Sequence, residues 1–317
     1  MKEKENSKVS SWNFANPFQI YYDDLVLDGL QSLRNYNFEA ARRSFSDAER
    51  NAVDNRIPQI LRFLAIGLHL WDLFDHQKAE RYLSDVLKYV NQYQKLLPLR
   101  PILEKWIQFL KRISQSNTVV EEQIIDIFFN GSRMYEREQY DNAAMRYYRA
   151  SEMINQFILK KEYNLDTQHA DYTSLNSVSL NDQCNREKKE KSQVLLEKFN
   201  EIWYRIFEKR GEKQNFKPNT LLHLKIGLIN GLILRNILGD PVLKFDFLFK
   251  IYDAVDIRNN SILAHGVKPI KDADCNKLKS ICESMITPFL ERKKTVKELI
   301  FNQNQLKDIF HIIRMDL

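Results

Sequence analysis

Gly131 to Ala150, GSRMYEREQYDNAAMRYYRA, decides the fold. A glycine is followed nine, twelve, sixteen and nineteen residues later by Tyr140, Ala143, Tyr147 and Ala150, aromatic and small in alternation. These four share one face of a helix, because spacings of three and four residues bring side chains back to the same side. The glycine, on the helix before, lets the second helix approach closely, and the alanines leave room for the rings to interlock. The same register recurs from Gly29 as Phe38, Ala41, Phe45 and Ala48. From Gly67 it gives His76, Ala79, Leu83 and Val86, a degenerate copy that has lost its aromatics.

The spacing resembles the tetratricopeptide helical hairpin. The copies stand 38 and 64 residues apart, unlike the regular period of about 34 in that family, so the reading is an irregular helical-hairpin domain. It spans residues 18–163, after a tail at 1–17. A polar segment at 164–192, rich in Ser, Asn, Asp and Thr, breaks the periodicity and marks a linker or insertion. A second helical domain then fills 193–317. It opens on a stripe of Leu195, Leu196, Phe199, Ile202, Ile206 and Phe207, and further helices are expected at 220–238, 244–264, 273–286 and 295–313.

Composition agrees with an all-α protein. Eight Gly and eight Pro in 317 residues leave few breakers, and 44% hydrophobic content supplies a packed core. The net charge of +6 comes from 48 basic and 42 acidic residues that are interspersed, which favours a polyanionic partner without demanding one. Cys184, Cys275 and Cys282 form no CxxC pair, so the thiols point to a reducing, cytoplasmic setting. The start MKEKENSK has no apolar run behind it and does not read as a signal peptide. The longest apolar stretch, 221–238, is interrupted by His223, Lys225, Asn230 and Arg235 and reads as a buried helix; no membrane association is expected.

Chemistry concentrates in Ile257-Arg258-Asn259-Asn260-Ser261-Ile262-Leu263-Ala264-His265-Gly266. On a continuous helix Arg258 and His265 would fall within about 20° of one another and about 10.5 Å apart along the axis. The arginine would clamp a phosphate and stabilise charge in the transition state. The histidine would move protons to and from a 2′-hydroxyl and a leaving 5′-oxygen. Asn259 is placed to orient the arginine, and Gly266 to end the helix. The plain alternative is a surface arginine and a satisfied histidine near a helix terminus; the Arg-to-His spacing alone recurs by chance, whereas the Ser261–Gly266 block is more specific.

This block resembles the catalytic motif of HEPN ribonucleases, an arginine followed by four to six residues and a histidine. It is most similar to the HEPN domains of type III CRISPR-associated CARF-HEPN effectors. The resemblance covers residues 193–317 and implies an endoribonuclease needing no metal or other cofactor, with single-stranded RNA as substrate. It also implies a homodimer that joins two motif copies into one groove and leaves 2′,3′-cyclic phosphate ends, with Arg258 and His265 catalytic and Asn259 orienting them. A CARF sensor would show alternating strands and helices, and the sequence has no such pattern. Cyclic-oligoadenylate sensing would then lie with a partner chain or a longer protein, or have been lost. Two alternatives stay open: a toxin held by an antitoxin, and a non-enzymatic scaffold with a HEPN-like dimerisation module.

Other polar groups read as structure. His69, Asp72 and His76 share a helix side but lack a third strong ligand. Cys275 and Cys282 read as packing, and His223 and Arg235 as satisfied buried groups. Phe38, Phe45, Tyr140 and Tyr147 are core rather than base-stacking platforms. The cationic run at 291–297 is a phosphate track or a solvated turn.

Overall fold

In the computed structural model the residues described are 17–52, 56–116, 120–175, 178–263, 266–292 and 303–314. The chain is all-α; among these residues no strand forms, and Ser261 and Lys268 make one isolated bridge. Contacts divide it into two compact units, 1–110 with 301–317, and 111–300.

The first unit holds α1 (Pro17–Arg34), α2 (Phe38–Asn51), α3 (Arg56–Asp72), α4 (His76–Val90), a 3-10 turn (Gln94–Leu99) and most of α5 (Arg100–Ser114). Each helix packs on the next from α1 through α4. The C-terminal helix α13 (Gln303–Arg314) also belongs here, packed on α1 and the 3-10 turn, with Trp106 Nε1 donating to Gln305 Oε1 at 3.1 Å. The sequence reading puts this helix in the second domain. Its buried stripe of Leu306, Ile309 and Ile313 is what takes it to the first unit, a pairing that adjacency along the chain does not reveal.

The three glycine-registered segments are three hairpins: α1–α2, α3–α4, and α6 (Glu121–Glu136) with α7 (Tyr140–Tyr163). A Cβ on Gly29 would lie 2.3 Å from the Phe45 ring, one on Gly67 2.8 Å from Leu83, and one on Gly131 3.0 Å from the Tyr147 ring. Each glycine thus accommodates the large side chain sixteen positions on. The turns repeat as closely. Tyr36, Phe74 and Glu138, each seven residues after its glycine, take the left-handed conformation with φ of 57°, 63° and 59°. The following amides close the helix end in the Schellman manner: Asn37 to Ser32 O (2.8 Å), Asp75 to Leu70 O (2.9 Å) and Gln139 to Met134 O (2.9 Å). The Gly67 copy, degenerate in sequence, keeps the whole hairpin because Ala79, Leu83 and Val86 fill the same buried positions.

None of the three left-handed residues is glycine, and that conformation costs a residue with a Cβ about 1–2 kcal/mol. Glu138 is exposed, so Glu138→Gly loses little packing. It is expected to raise stability by about 0.5–1 kcal/mol in urea denaturation, the relief of strain outweighing the added freedom of the unfolded glycine. A loss of stability would show that the Glu138 side chain does more than fill the turn.

The second unit is built round α7, which packs on α6, α10 (Leu228–Ile237), α11 (Phe245–Asn259) and α12 (Asp272–Arg292). Helices α8 (Val178–Glu187) and α9 (Lys191–Lys209) lie between α7 and α10 in sequence. The boundary between units falls at 110, so the third hairpin and the polar stretch at 164–192 lie inside the second unit. That stretch is anchored by buried Leu165, Leu175 and Leu180. It also pairs with 223–226: Ala170 N donates to Leu224 O at 2.9 Å, Ile226 N to Thr167 O at 2.8 Å, and Tyr172 OH to His223 O at 2.7 Å.

Those long-range bonds explain why the helix expected at 220–238 begins only at Leu228. Amides and carbonyls committed to 167–172 cannot serve a helix, and Leu221 and Leu224 are left 79% and 78% exposed instead of buried. In the opposite sense, α12 does not stop before Pro288 but carries it internally and continues to Arg292. Burial of Met285 and Ile286 holds the turn before it, while proline removes only one donor from the ladder.

Candidate active site

Helix α11 carries Arg258 and Asn259 in its last turn and ends there. The sequence reading extends this helix to 264, and the residues after Asn259 show why it stops. Asn260 caps it twice, its backbone N–H donating to Asp256 O at 3.0 Å and its Nδ2 to the same oxygen at 2.9 Å. An asparagine side chain that takes a helix carbonyl competes with continuation. Ser261 N then bonds back to Arg258 O at 3.0 Å, and the chain leaves as a loop. Ile262 N donates to Lys268 O (3.1 Å) and Gly266 N to Ser261 O (2.9 Å), which pins both sides of that loop.

The seven-step helical alignment of Arg258 with His265 therefore does not apply, nor does a separation of two turns. His265 and Ala264 lie outside the described residues. Gly266 does not end the helix as expected; it lets the loop close. A Cβ there would stand 1.8 Å from the Asn260 carbonyl oxygen, so any other residue would push the loop off the helix end.

Arg258 is half-buried and held from two sides. Its guanidinium carbon lies 4.5 Å from the centroid of the Tyr148 ring on α7, a cation–π contact. Its Nη1 donates to Asn259 Oδ1 at 3.0 Å. The Nε is buried and has no partner among the described residues. A cation in the last turn also suits the negative end of the helix dipole. Tyr148 stays a neutral phenol: burial, then the neighbouring Glu152, push its pKa up to about 12 against the opposing pull of Arg258.

Two residues earlier the helix is tied to the end of α9, where the capping residue Arg210 donates from Nη1 to Asp256 Oδ2 at 2.7 Å and has its guanidinium 5.0 Å from the Tyr252 ring. At the outer edge of the loop Ile262, Leu263 and Val267 are exposed, the last by 85%, while Ser261 is buried.

Tyr148 is the residue that sequence reasoning passed over. The hairpin register explains Tyr147, which fills the space beside Gly131, and leaves its neighbour without a role. On a helix the adjacent residue points about 100° away, so a Tyr-Tyr pair with one ring in the core turns the other toward a different partner. Here that partner is α11.

The remaining candidates sort as follows. Arg235 is buried and paired with Asp240, Nε to Oδ2 at 3.0 Å, so the expected satisfied group is satisfied in part, its Nη1 being buried with no hydrogen-bond partner among the described residues. Cys275 and Cys282 are buried free thiols, both pushed up to about 12 by burial. Asp72 is buried, and among the described residues no three His, Cys, Asp or Glu side chains gather to hold a metal. The run at 291–297 falls almost entirely outside the described residues. Among the described residues no helix is long and apolar enough to cross a membrane.

No curated protein matches the chain. A family model does: the Csm6 HEPN domain matches residues 112–287. The match lies within the second unit and runs from the end of α5 into α12, taking in α6, α7 and the helix that carries Arg258. It reaches further toward the N-terminus than the 193–317 assigned from the motif. Since it covers more than half of the chain, this protein belongs to the Csm6 HEPN domain family.

Proposed function

We propose that this protein is a metal-independent endoribonuclease that cuts single-stranded RNA in CRISPR-linked antiviral defence in the cytoplasm. The observation that carries the reading is Arg258, held on the Tyr148 ring at the very end of α11 and seven residues before His265 in the sequence. Membership of the Csm6 HEPN domain family supports it.

In the proposed step the RNA 2′-oxygen attacks the adjacent phosphorus. The O2′–P bond forms, the P–O5′ bond breaks, and the products are a 2′,3′-cyclic phosphate and a 5′-hydroxyl. Arg258 binds the non-bridging oxygens, whose charge grows in the transition state. His265 takes the 2′-proton or gives one to the leaving 5′-oxygen, and Asn259 holds the guanidinium by its Oδ1. Single strands are preferred because only a flexible backbone brings O2′ in line with the leaving oxygen.

The active form is a homodimer with two motif copies facing one groove. Support for this comes from the exposed Ile262, Leu263 and Val267 that follow Arg258 in the chain, apolar side chains of the kind that seek a partner. Control lies with another molecule, a cyclic-oligoadenylate-sensing chain or an antitoxin.

Purified full-length protein incubated with labelled single-stranded RNA in EDTA, with and without cyclic oligoadenylates, tests this. Expected are cleavage unaffected by EDTA, cyclic phosphate ends, and loss of cleavage in His265→Ala. Cleavage that needs a divalent ion, or survives in His265→Ala, overturns the mechanism; no cleavage under any condition leaves the scaffold reading in its place.

A further inference from the structure

A cleft of about 410 Å³ opens between α11 and α12, one helical turn before Arg258. It lies at the lower end of the range of roughly 300–1,000 Å³ for clefts that hold small molecules. Its sides differ in chemistry. Ala254, Ile257 and Ile281 form an apolar floor, with Ala254 and Ile281 buried. Asp253, Asn276 and Lys250 stand exposed at the rim.

The residues that α11 gives to the cleft, Lys250, Asp253, Ala254 and Ile257, follow three- and four-residue spacing and so form one stripe. That stripe ends at Ile257, covalently next to Arg258. The Arg258 side chain leaves the helix about 100° from that of Ile257, so a strand of RNA whose phosphate sits on Arg258 would cross the end of α11 to place an adjoining nucleotide in this cleft.

We infer that this cleft is a nucleobase subsite that sets the base preference of cleavage. An apolar floor suits the faces of a planar base, and the rim offers what a base edge reads. The Asp253 carboxylate accepts from an exocyclic amine, as acidic side chains do from cytosine N4. The Asn276 amide donates and accepts, the pairing that asparagine makes with adenine. Lys250 supplies a cation for the neighbouring phosphate. Uracil offers only its ring N3–H and no exocyclic amine, a poorer match for Asp253, whose carboxylate also has Arg210 Nη1 at 4.0 Å, so the subsite favours adenine or cytosine over uracil. This rests on the nuclease reading of Arg258, and it names which nucleotide that site prefers.

The test separates the two. Fluorescein-labelled homo-oligonucleotides of A, C and U with 2′-fluoro ribose cannot be cleaved, because the attacking hydroxyl is gone. Their binding to the full chain is measured by anisotropy, so catalysis is not needed. Binding of A or C oligomers about tenfold tighter than U is expected, and Asp253→Ala with Asn276→Ala should shrink that ratio to about twofold while U binding stays within about twofold of wild type. In cleavage assays on mixed-sequence RNA the same double variant should cut with less base discrimination.

Equal affinity for all three oligomers in wild type, or an unchanged ratio in the double variant, overturns the subsite even if the protein cleaves RNA. Base discrimination in binding that vanishes in the double variant supports the subsite even if no cleavage occurs, and in that case only the nuclease reading fails. If the double variant instead shifts the monomer–dimer equilibrium in sedimentation with discrimination intact, the cleft receives a second copy of the chain and the proposal is overturned.

Discussion

Arg258→Ala is expected to lower kcat for RNA cleavage by about 10³-fold, the usual scale for removing one preorganised donor or an arginine aimed at transition-state charge. The effect should fall on kcat more than on KM, because the guanidinium gains most as charge builds on the non-bridging oxygens. Arg258→Lys should recover little. Lysine keeps the charge but not the planar fork, and it stacks less well on an aromatic face. The ring 4.5 Å away makes a graded prediction available. Tyr148→Phe preserves that face and should leave kcat within about twofold, whereas Tyr148→Ala should cost about tenfold by freeing the guanidinium. Steady-state cleavage of a labelled RNA, with circular dichroism to show an intact fold, checks the series. Full activity in Arg258→Ala would remove the residue from the site; equal losses in Tyr148→Phe and Tyr148→Ala would mean that the phenol hydroxyl matters and not the ring.

The hairpins were legible because their rule is local. A glycine and a large residue sixteen positions later meet across a turn whose length is fixed, so Gly29 with Phe45 and Gly131 with Tyr147 can be read as pairs. Even Gly67 with Leu83 follows the rule once size, not aromaticity, is taken as the criterion. What the sequence hides is which hairpin joins which core. Two of them stack in the first unit and the third is the start of the second, a choice made by α12 packing on α7 more than a hundred residues later. The same long reach takes α13 back to α1.

At the candidate site the pairing of Asn259 with Arg258 was legible, the local geometry less so. Ile262, Leu263 and Ala264 continue an apolar pattern and invite an unbroken helix, but three consecutive residues, Asn259, Asn260 and Ser261, have side chains that compete for backbone groups. Asn260 does so by bonding to Asp256 O. The apolar pattern favours continuation and the short polar run a stop, and the structure follows the run. The consequence reaches function. A helix would have held Arg258 and His265 two turns apart; with α11 ending at Asn259 that spacing lapses, and what supports the proposed dimer is the family resemblance and the exposed Ile262, Leu263 and Val267.

The largest expected loss of stability comes from Asp240. Its carboxylate faces Arg235 across the turn after α10, with Arg235 Nη2 at 2.5 Å and Nε at 3.0 Å from Oδ2, and the side chains are only 5% and 10% exposed. Removing the carboxylate leaves a guanidinium buried without its counter-charge, and breaking a buried pair on one side costs about 3–5 kcal/mol. Asp240 also receives Val242 N on Oδ1 at 2.9 Å, so Asp240→Ala releases the loop that leads into α11. The variant should lower the urea midpoint sharply, followed by Trp203 fluorescence, since this is the one tryptophan between residues 111 and 300. Arg235→Met combined with Asp240→Asn should return most of the loss. Methionine removes the stranded charge while filling the space, and asparagine keeps the acceptor for Val242. If Asp240→Ala costs less than about 1 kcal/mol, or the double variant is as unstable as the single one, the pair is not what holds this corner. Recovery in the double variant would locate the cost in the unpaired cation, since the attraction between the two groups is absent from both variants.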